Sequence, residues 1–404
     1  MEVAVIADDL TGAADSGIQF ARAGYRTAVA FRGAPVPPSE GLDAVVVDTD
    51  SRLLSPQEAR ERVREAGEAL KDARIVYKKI DSTLRGPIAA ELEAALEATG
   101  RPRAIVAPAF PSAGRSTREG VQLVHGTPVH ETGLAEDPRT PVREGHIPSV
   151  LAGEGLEAVA TLSADDLQHP DLVRRVFEDS RWTVVDAEKD AHLEALVRAV
   201  PDPAGVLWTG SAGLALALGD AYPGPHAETA SGGTSEIVHN ILTVIGSTNE
   251  VAREQMRHLR DAGVALVSLD SRAVARGDSG EAVRKTREEA RAALGDGRSV
   301  ALYSTDEEVP ADDAPRVVEA LAEVAADLSE EGLFDALVLT GGDTAVHVAR
   351  TLGAHGILLE EEIEAGVPVG TLIGPRPYRI VTKAGGFGAP DTLLNALRTL
   401  TGKE

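Results

Sequence analysis

The segment Ala4-Val-Ile-Ala-Asp-Asp-Leu-Thr-Gly-Ala-Ala-Asp-Ser-Gly17 decides how this chain is read. An apolar run, Val3 to Ala7, stops at two adjacent carboxylates, Asp8 and Asp9. Thr11, Gly12 and a run of small residues follow. This predicts a first β-strand that delivers acids to its C-terminal end, with a helix close behind. Open α/β sheets bind ligands just outside the carboxyl ends of their strands. One acid is enough to cap a helix. Two acids followed by Thr-Gly point to a site.

Further strand-like runs lie at residues 44–47, 75–79, 104–107, 183–185 and 206–208. Helical patterns fall between several of them. One opens at Ser55-Pro56, an N-cap followed by Pro at the first helical position, and runs to about Leu70. Another covers about 87–98. The alternation predicts a mainly parallel sheet with helices on both faces. Residues 110–150 break it. They are rich in Pro, Gly, His and Arg and read as a long functional loop. Residues 223–236, which contain Pro, Gly, Ser and Thr and little that could form a core, read as a domain boundary. After it the alternation restarts, with strands at 241–245, 264–269, 300–303, 336–339, 368–373 and 379–382. The expected fold is therefore two α/β domains, residues 1–230 and 237–404, each with a mainly parallel sheet flanked by helices.

Composition agrees. At 404 residues the chain is too long for one typical core. It has no Cys, which excludes disulfides and cysteine nucleophiles and favours a cytoplasmic location. No apolar stretch is long enough for a transmembrane helix, and the immediate entry into a strand predicts no signal peptide. The net charge of −24 argues against nucleic acid as a partner, because phosphate contacts need a basic surface. A small anion needs only a few local Arg and Lys groups.

A second polar cluster ends the strand at 75–79: Tyr77-Lys-Lys-Ile-Asp-Ser-Thr-Leu-Arg-Gly86. If the strands are parallel, Lys79, Asp81, Ser82, Thr83 and Arg85 share a sheet edge with Asp8 and Asp9. Arg85 can grip a carboxylate with two parallel hydrogen bonds. Asp81 could accept a hydroxyl proton. Arg115, in Pro108-Ala-Phe-Pro-Ser-Ala-Gly-Arg115, is a further anion-binding candidate, although solvated loop arginines are commoner. His125, His130 and His146 do not have the spacing of a helical zinc signature.

In the second half, Leu337-Val-Leu-Thr-Gly-Gly-Asp-Thr-Ala345 is a strand, a glycine pair and a helix start. Lys383-Ala-Gly-Gly-Phe-Gly388 and Ile245-Gly-Ser-Thr-Asn249 are similar. Glycines let backbone N–H groups approach a phosphate, and a helix N-terminus favours its charge. Lys383 would present a point charge to phosphate oxygens. Three such loops suggest one phosphate-binding crevice. Glycines alone do not separate ATP from NAD, but a nicotinamide dehydrogenase needs GxGxxG after the first strand, where this chain has Asp8-Asp-Leu-Thr-Gly12.

Taken together, these segments resemble the four-carbon acid sugar kinase family, formerly described only as a domain of unknown function. The resemblance also rests on Asp137-Pro138 with Pro141 and on Gly210-Ser-Ala-Gly-Leu214, and it covers essentially the whole chain. It implies an N-terminal domain for the sugar acid and a C-terminal domain for ATP and Mg²⁺, with the active site in the interdomain cleft. It implies transfer to the terminal hydroxyl of threonate, erythronate or 3-oxo-tetronate. Ser247, Gly341, Gly342, Asp343, Thr344, Gly385 and Gly386 would fall in the ATP site with Lys383. Asp8, Asp9, Thr11, Lys79, Ser82, Arg85 and Arg115 would line the substrate site, with Asp9 or Asp81 as catalytic acid/base. A homo-oligomer is left open, and no metal ligand is assigned. The chain departs from the family pattern at Pro87, Asp343, Ala384 and Gly386, where the pattern has Asn, Glu, Ser and Asn. The altered loop at 384–386 leaves a non-catalytic sensor as the alternative reading.

Overall fold

The structure is a computed structural model that describes all residues except 35–36, 38–40, 138, 201, 228–237, 247–248, 306–308, 311–312 and 403–404. It divides into two compact units, Met1–Ser231 and Gly232–Glu404.

In the N-terminal unit the strands are β1 Val3–Ala7, β2 Thr27–Ala30, β3 Ala44–Asp48, β4 Ile75–Lys79, β5 Ala104–Ala107, β6 Arg115–Arg118, β7 Val121–Val124, β8 Thr127–Pro128, β9 Val159–Leu162, β10 Trp182–Val185 and β11 Leu207–Gly210. Eight of them form one sheet in the order β2-β3-β1-β4-β11-β5-β10-β9. Every pairing in it is parallel. All five β1 residues are buried, as befits a strand with helices on both faces. One part of the core joins Ile6, Val45 and Val76 of the sheet to Val63, Leu70 and Leu92 of the helices.

After β1 the chain builds one side of the sheet, and after β4 it builds the other. The carboxyl ends of β1 and β4 are thus the switch point, where a ligand crevice is expected. α1 Leu10–Arg22 follows β1, α2 Pro56–Leu70 follows β3 and α3 Ile88–Thr99 follows β4. Ser55 and Glu58 form a reciprocal capping box at α2, so the sequence signal there was sound.

Residues 110–150 are more ordered than their composition suggests. β6, β7 and β8 form a small antiparallel sheet. Its two-residue turns are Glu119-Gly120 (φ 51° and 74°) and His125-Gly126 (φ 49° and 83°). Two positive φ values in succession match a type I′ hairpin, whose twist suits the flanking strands. The X-Gly pairs were the available signal. The sequence reading also missed the short strands β2 and β9.

The C-terminal unit contains β12 Ile241–Ile245, β13 Ala265–Leu269, β14 Val300–Ser304, β15 Ala336–Thr340, β16 Gly356–Glu362, β17 Pro368–Ile373 and β18 Arg379–Lys383. Their order is β13-β14-β12-β15-β18-β17-β16. The first five are parallel, and β17 and β16 continue antiparallel. The switch point here lies between β12 and β15, and β18 is the next strand.

Candidate active site

Asp9 both caps a helix and pairs with a cation. Its Oδ1 accepts the Gly12 N–H at 3.0 Å and caps α1. The same carboxylate receives two hydrogen bonds from Arg52, from Nη2 at 2.6 Å and from Nη1 at 2.9 Å. Arg52 Nε also donates to Asp8 Oδ2 at 2.6 Å, and its Nη2 lies 4.0 Å from Asp81 Oδ1. One guanidinium therefore joins the polar ends of β1 and β4. Lys79 Nζ reaches Asp8 Oδ1 at 3.4 Å. Gly12 is required for this approach, since a Cβ there would lie 2.4 Å from Lys79 Nζ.

Arg52 was not read from the sequence. It follows β3 in Asp48-Thr-Asp-Ser-Arg52, a polar run at a strand end like those after β1 and β4. That likeness was the usable signal. The loop is held from below by buried polar groups. Thr49 Oγ1 donates to the Ala7 carbonyl at 2.7 Å, and Ser51 Oγ donates to Glu91 Oε1 at 2.6 Å. Glu91 also forms a fully buried ion pair with Lys78 at 2.8 Å.

Asp81 is committed to its own loop. Arg85 Nε donates to it at 2.6 Å, and Thr83 Oγ1 and the Arg85 amide donate to the same oxygen. Ser82 contributes its carbonyl, which accepts from Gln122 Nε2 at 2.7 Å. Gln122 in turn accepts from Thr117 at 2.7 Å, which ties this loop to the small sheet. Arg115 is half-buried, contacting the Ala113 carbonyl at 3.1 Å and His125 at 3.3 Å. Thr11 is half-buried on the first turn of α1.

Burial raises the pKa of Asp8, but Arg52, Lys79 and Lys78 outweigh it and hold this carboxyl well below the ordinary range. Burial also opposes ionisation of Asp81, and Arg52 and Arg85 reverse that in the same way. Both are therefore fixed anions and weak bases. A cavity of about 590 Å³ is lined by their arginine partners and not by Asp8, Asp9 or Asp81 themselves. Arg52, Arg85 and Pro87 line one part of it, and Arg139, Thr140 and Arg143 line another.

In the C-terminal unit the glycine loops lie at neighbouring strand ends. Gly341 follows β15 with φ 101° and precedes the helix Gly342–Thr351, whose N-terminus has no side-chain cap. The Gly341 N–H donates to the Lys383 carbonyl at 2.9 Å, and the Gly246 N–H donates to the Thr340 carbonyl at 3.3 Å. A Cβ on Gly246 would lie 1.9 Å from Thr344 Oγ1. Thr344 is buried and Asp343 is exposed. Lys383 is buried at the end of β18, where burial lowers its pKa to about 8 against a small opposing effect of Glu364. Gly385 follows, and its carbonyl accepts from Lys383 Nζ at 3.3 Å. Gly386 is exposed, and a Cβ there would lie 3.3 Å from the Asn249 amide nitrogen. Ser247 lies outside the described residues. Among the described residues no three His, Asp or Glu side chains are grouped to hold a metal ion.

A charged cluster at the strand ends of one parallel α/β unit and an uncapped, glycine-lined helix end on another are chemically suited to a small polar ligand and a phosphate-bearing one. The models that match describe the same pair: a sugar-binding N-terminal domain over residues 3–218 and a nucleotide-binding C-terminal domain over residues 242–393. The D-threonate kinase of Bordetella bronchiseptica is 36% identical, over 98% of this chain and 97% of its own length. The D-erythronate kinase of Heliobacterium modesticaldum is 31% identical, over 96% and 94%. A crystal structure from Salmonella typhimurium LT2 superposes with a TM-score of 0.86 at 25% identity, covering 98% of this chain and 99% of that one. The chain belongs to the four-carbon acid sugar kinase family, whose members are ATP-dependent sugar-acid kinases. No helix among the described residues is long and apolar enough to cross a membrane.

Proposed function

We propose that this kinase transfers the γ-phosphoryl group of ATP to the terminal hydroxyl of a four-carbon aldonic acid, with D-threonate the first candidate. The observation that carries this reading is the charged cluster at the β1/β4 switch point, in which Arg52 bridges Asp8 and Asp9 beside an arginine-lined cavity. Arg85 gives Nε and Nη2 to Asp81 and keeps Nη1 for a ligand. Together with Arg115 it would hold the substrate carboxylate. Asp9 is the most accessible of the three acids and would orient the attacking hydroxyl and take its proton. Asp81, held as an anion by its arginines, would act by positioning Arg85.

The nucleotide's phosphates would sit on the N-terminal turn of the helix Gly342–Thr351, with Lys383 as their cation. The fit is physical: that helix end lacks a side-chain cap, and a buried lysine whose burial disfavours its charge gains from a nearby anion. Asp343, Thr344, Gly385 and Gly386 would complete this site. The chemistry that Mg²⁺ bound with ATP would supply in this reading is neutralisation of charge on the phosphates. Transfer then depends on positioning and electrostatics, which these residues supply. The homologue at higher identity acts on D-threonate, which orders the candidates.

A coupled ADP-release assay with Mg-ATP tests this on both enantiomers of threonate and erythronate, 3-oxo-tetronate, and longer acids as controls. Turnover of one four-carbon acid is expected. Binding of both ligands without ADP formation would support the sensor reading instead.

A further inference from the structure

Asp48 is the carboxyl group of the cluster that the transfer chemistry leaves unused. It ends β3, in register with Ala7 of β1, and is 2% exposed. Asp8, Asp9 and Asp81 each have an arginine nitrogen at 2.6 Å. Asp50 has Arg32 at 2.9 Å and Arg62 at 3.5 Å. Asp48 instead accepts the backbone N–H of Asp50 at 2.9 Å. That bond closes a turn in which Asp50 adopts φ 48°, uncommon for a residue with a side chain. Arg52 emerges two residues later.

The charged groups on the elements packed against β3 are of both signs, and the Arg62 side chain also reaches the loop after it. Asp8 follows β1, and Asp9, Asp15 and Arg22 belong to α1 or its cap. Arg32 follows β2, and Asp50 and Arg52 lie in Asp48's own loop. The arginines nearest the cluster are already paired with other acids. A buried carboxyl group beside anions and without a cation of its own keeps its proton.

We propose that Asp48 is a positioning residue that works as a neutral carboxylic acid: it holds the turn delivering Arg52, and its ionisation weakens binding of the sugar acid. This rests on the sugar-acid reading of the N-terminal unit. Burial, with repulsion from Asp9, Asp50 and Asp8 and against the Asp50 hydrogen bond, pushes Asp48 up to about 8. Above that pH a further anion stands beside the pair that holds Arg52. It adds to the negative charge of that pair and repels an incoming carboxylate. Asn at this position would keep the accepting oxygen and could not ionise.

Two measurements test this on the full chain. The first is an infrared titration of the wild type and the Asp48→Asn protein. A protonated carboxylic acid band is expected in the wild type at neutral pH, absent in Asp48→Asn and lost from the wild type above about pH 9. If the neutral-pH spectra of the two proteins share that band or both lack it, the proposal falls. The second is calorimetry of D-threonate binding without nucleotide, so that Lys383 plays no part. Wild-type affinity is expected to be about tenfold lower at pH 9 than at pH 7, as for one proton with a pKa near 8. In Asp48→Asn the same ratio is expected to shrink below twofold. Equal pH dependence in both proteins would overturn the proposal. Absence of binding at every pH, with the infrared band present, would overturn the sugar-acid reading and the binding role with it.

Discussion

At the ends of β1, β3 and β4 the chain concentrates Asp8, Asp9, Asp81, Arg52, Lys79 and Arg85. At the ends of β12, β15 and β18 it places glycines, an uncapped helix and Lys383. Both regions sit at a switch point among parallel strands, so the backbone poses the same problem twice. The N-terminal unit answers with side-chain charge, paired before any ligand arrives. The C-terminal unit answers with an uncapped helix N-terminus and close approach of the backbone. A charged lattice suits a small acid that must be oriented atom by atom. Backbone donors suit phosphates, whose recognition is mostly electrostatic. The two sites should therefore fail in different ways.

The largest failure is expected from Arg52→Ala. It strands Asp8 and Asp9 beside the remaining cations, and removing one partner of a buried pair costs about 3–5 kcal/mol. We expect kcat/KM for the sugar acid to fall roughly a thousandfold, with a lower melting temperature, while the fold survives by circular dichroism. Arg52→Lys should recover little, because a lysine lacks the fork that serves two carboxylates at once. Near-normal activity in Arg52→Ala would remove the charged lattice from one side of the comparison.

The converse test is Gly246→Ala. Its Cβ would meet Thr344 Oγ1 at 1.9 Å, so the helix after β15 must move. Overpacking of this kind costs about 1–3 kcal/mol, and we expect nucleotide affinity to fall roughly ten- to a hundredfold. Sugar-acid binding, measured alone by calorimetry, should hold. Loss of both affinities together would mean that the two sites are not separately built.

How much of this was legible differs between the two regions for the same reason. Strands β1 and β4 were readable because a short apolar run ends abruptly in polar residues. The glycine loops were readable because glycine after a strand has few other uses. Arg52 was hidden by its neighbours, since Asp50 before it and the Ser55-Pro56 cap after it make the stretch look like an ordinary loop. Glu91 was hidden by helical periodicity, which gives an exposed acid as the default, whereas here it is buried against Lys78 and Ser51. Pairings between distant segments depend on strand order, which a single sequence carries only weakly. The β6–β8 sheet was hidden by its brevity, although its two X-Gly turns were in plain view.

A smaller effect, with a pH signature, is expected at Lys383. Its pKa is lowered to about 8, so the free protein carries this charge below that pH and loses it as pH rises. Nucleotide affinity should therefore fall above about pH 8 in the wild type and stay level in Lys383→Arg, which remains charged. Lys383→Met should lose about tenfold in ATP affinity at pH 7, the equivalent of one charge-assisted contact of roughly 1.5 kcal/mol. The KM for the sugar acid should not follow. If it does, Lys383 belongs to the transfer step rather than to nucleotide binding.

The smallest effect separates charge from its scaffolding within the N-terminal unit. Gln122 carries no charge, is fully buried, and joins Thr117 of the small sheet to the carbonyl of Ser82. Replacing it with Leu keeps its bulk and removes both hydrogen bonds. A neutral hydrogen bond contributes about 1 kcal/mol, so a loss of roughly fivefold is expected, and it should fall on the sugar-acid KM. The reason is geometric: the Ser82 carbonyl belongs to the loop that carries Asp81, Leu84 at φ 62° and Arg85. Any slack there moves the Arg85 guanidinium relative to Arg52. ATP affinity should be indifferent, since no part of this relay lies in the C-terminal unit. A change in kcat with no change in sugar-acid KM would place the small sheet in the transfer step, and the long segment 110–150 would then be part of the reacting geometry rather than a support for the arginine beside it.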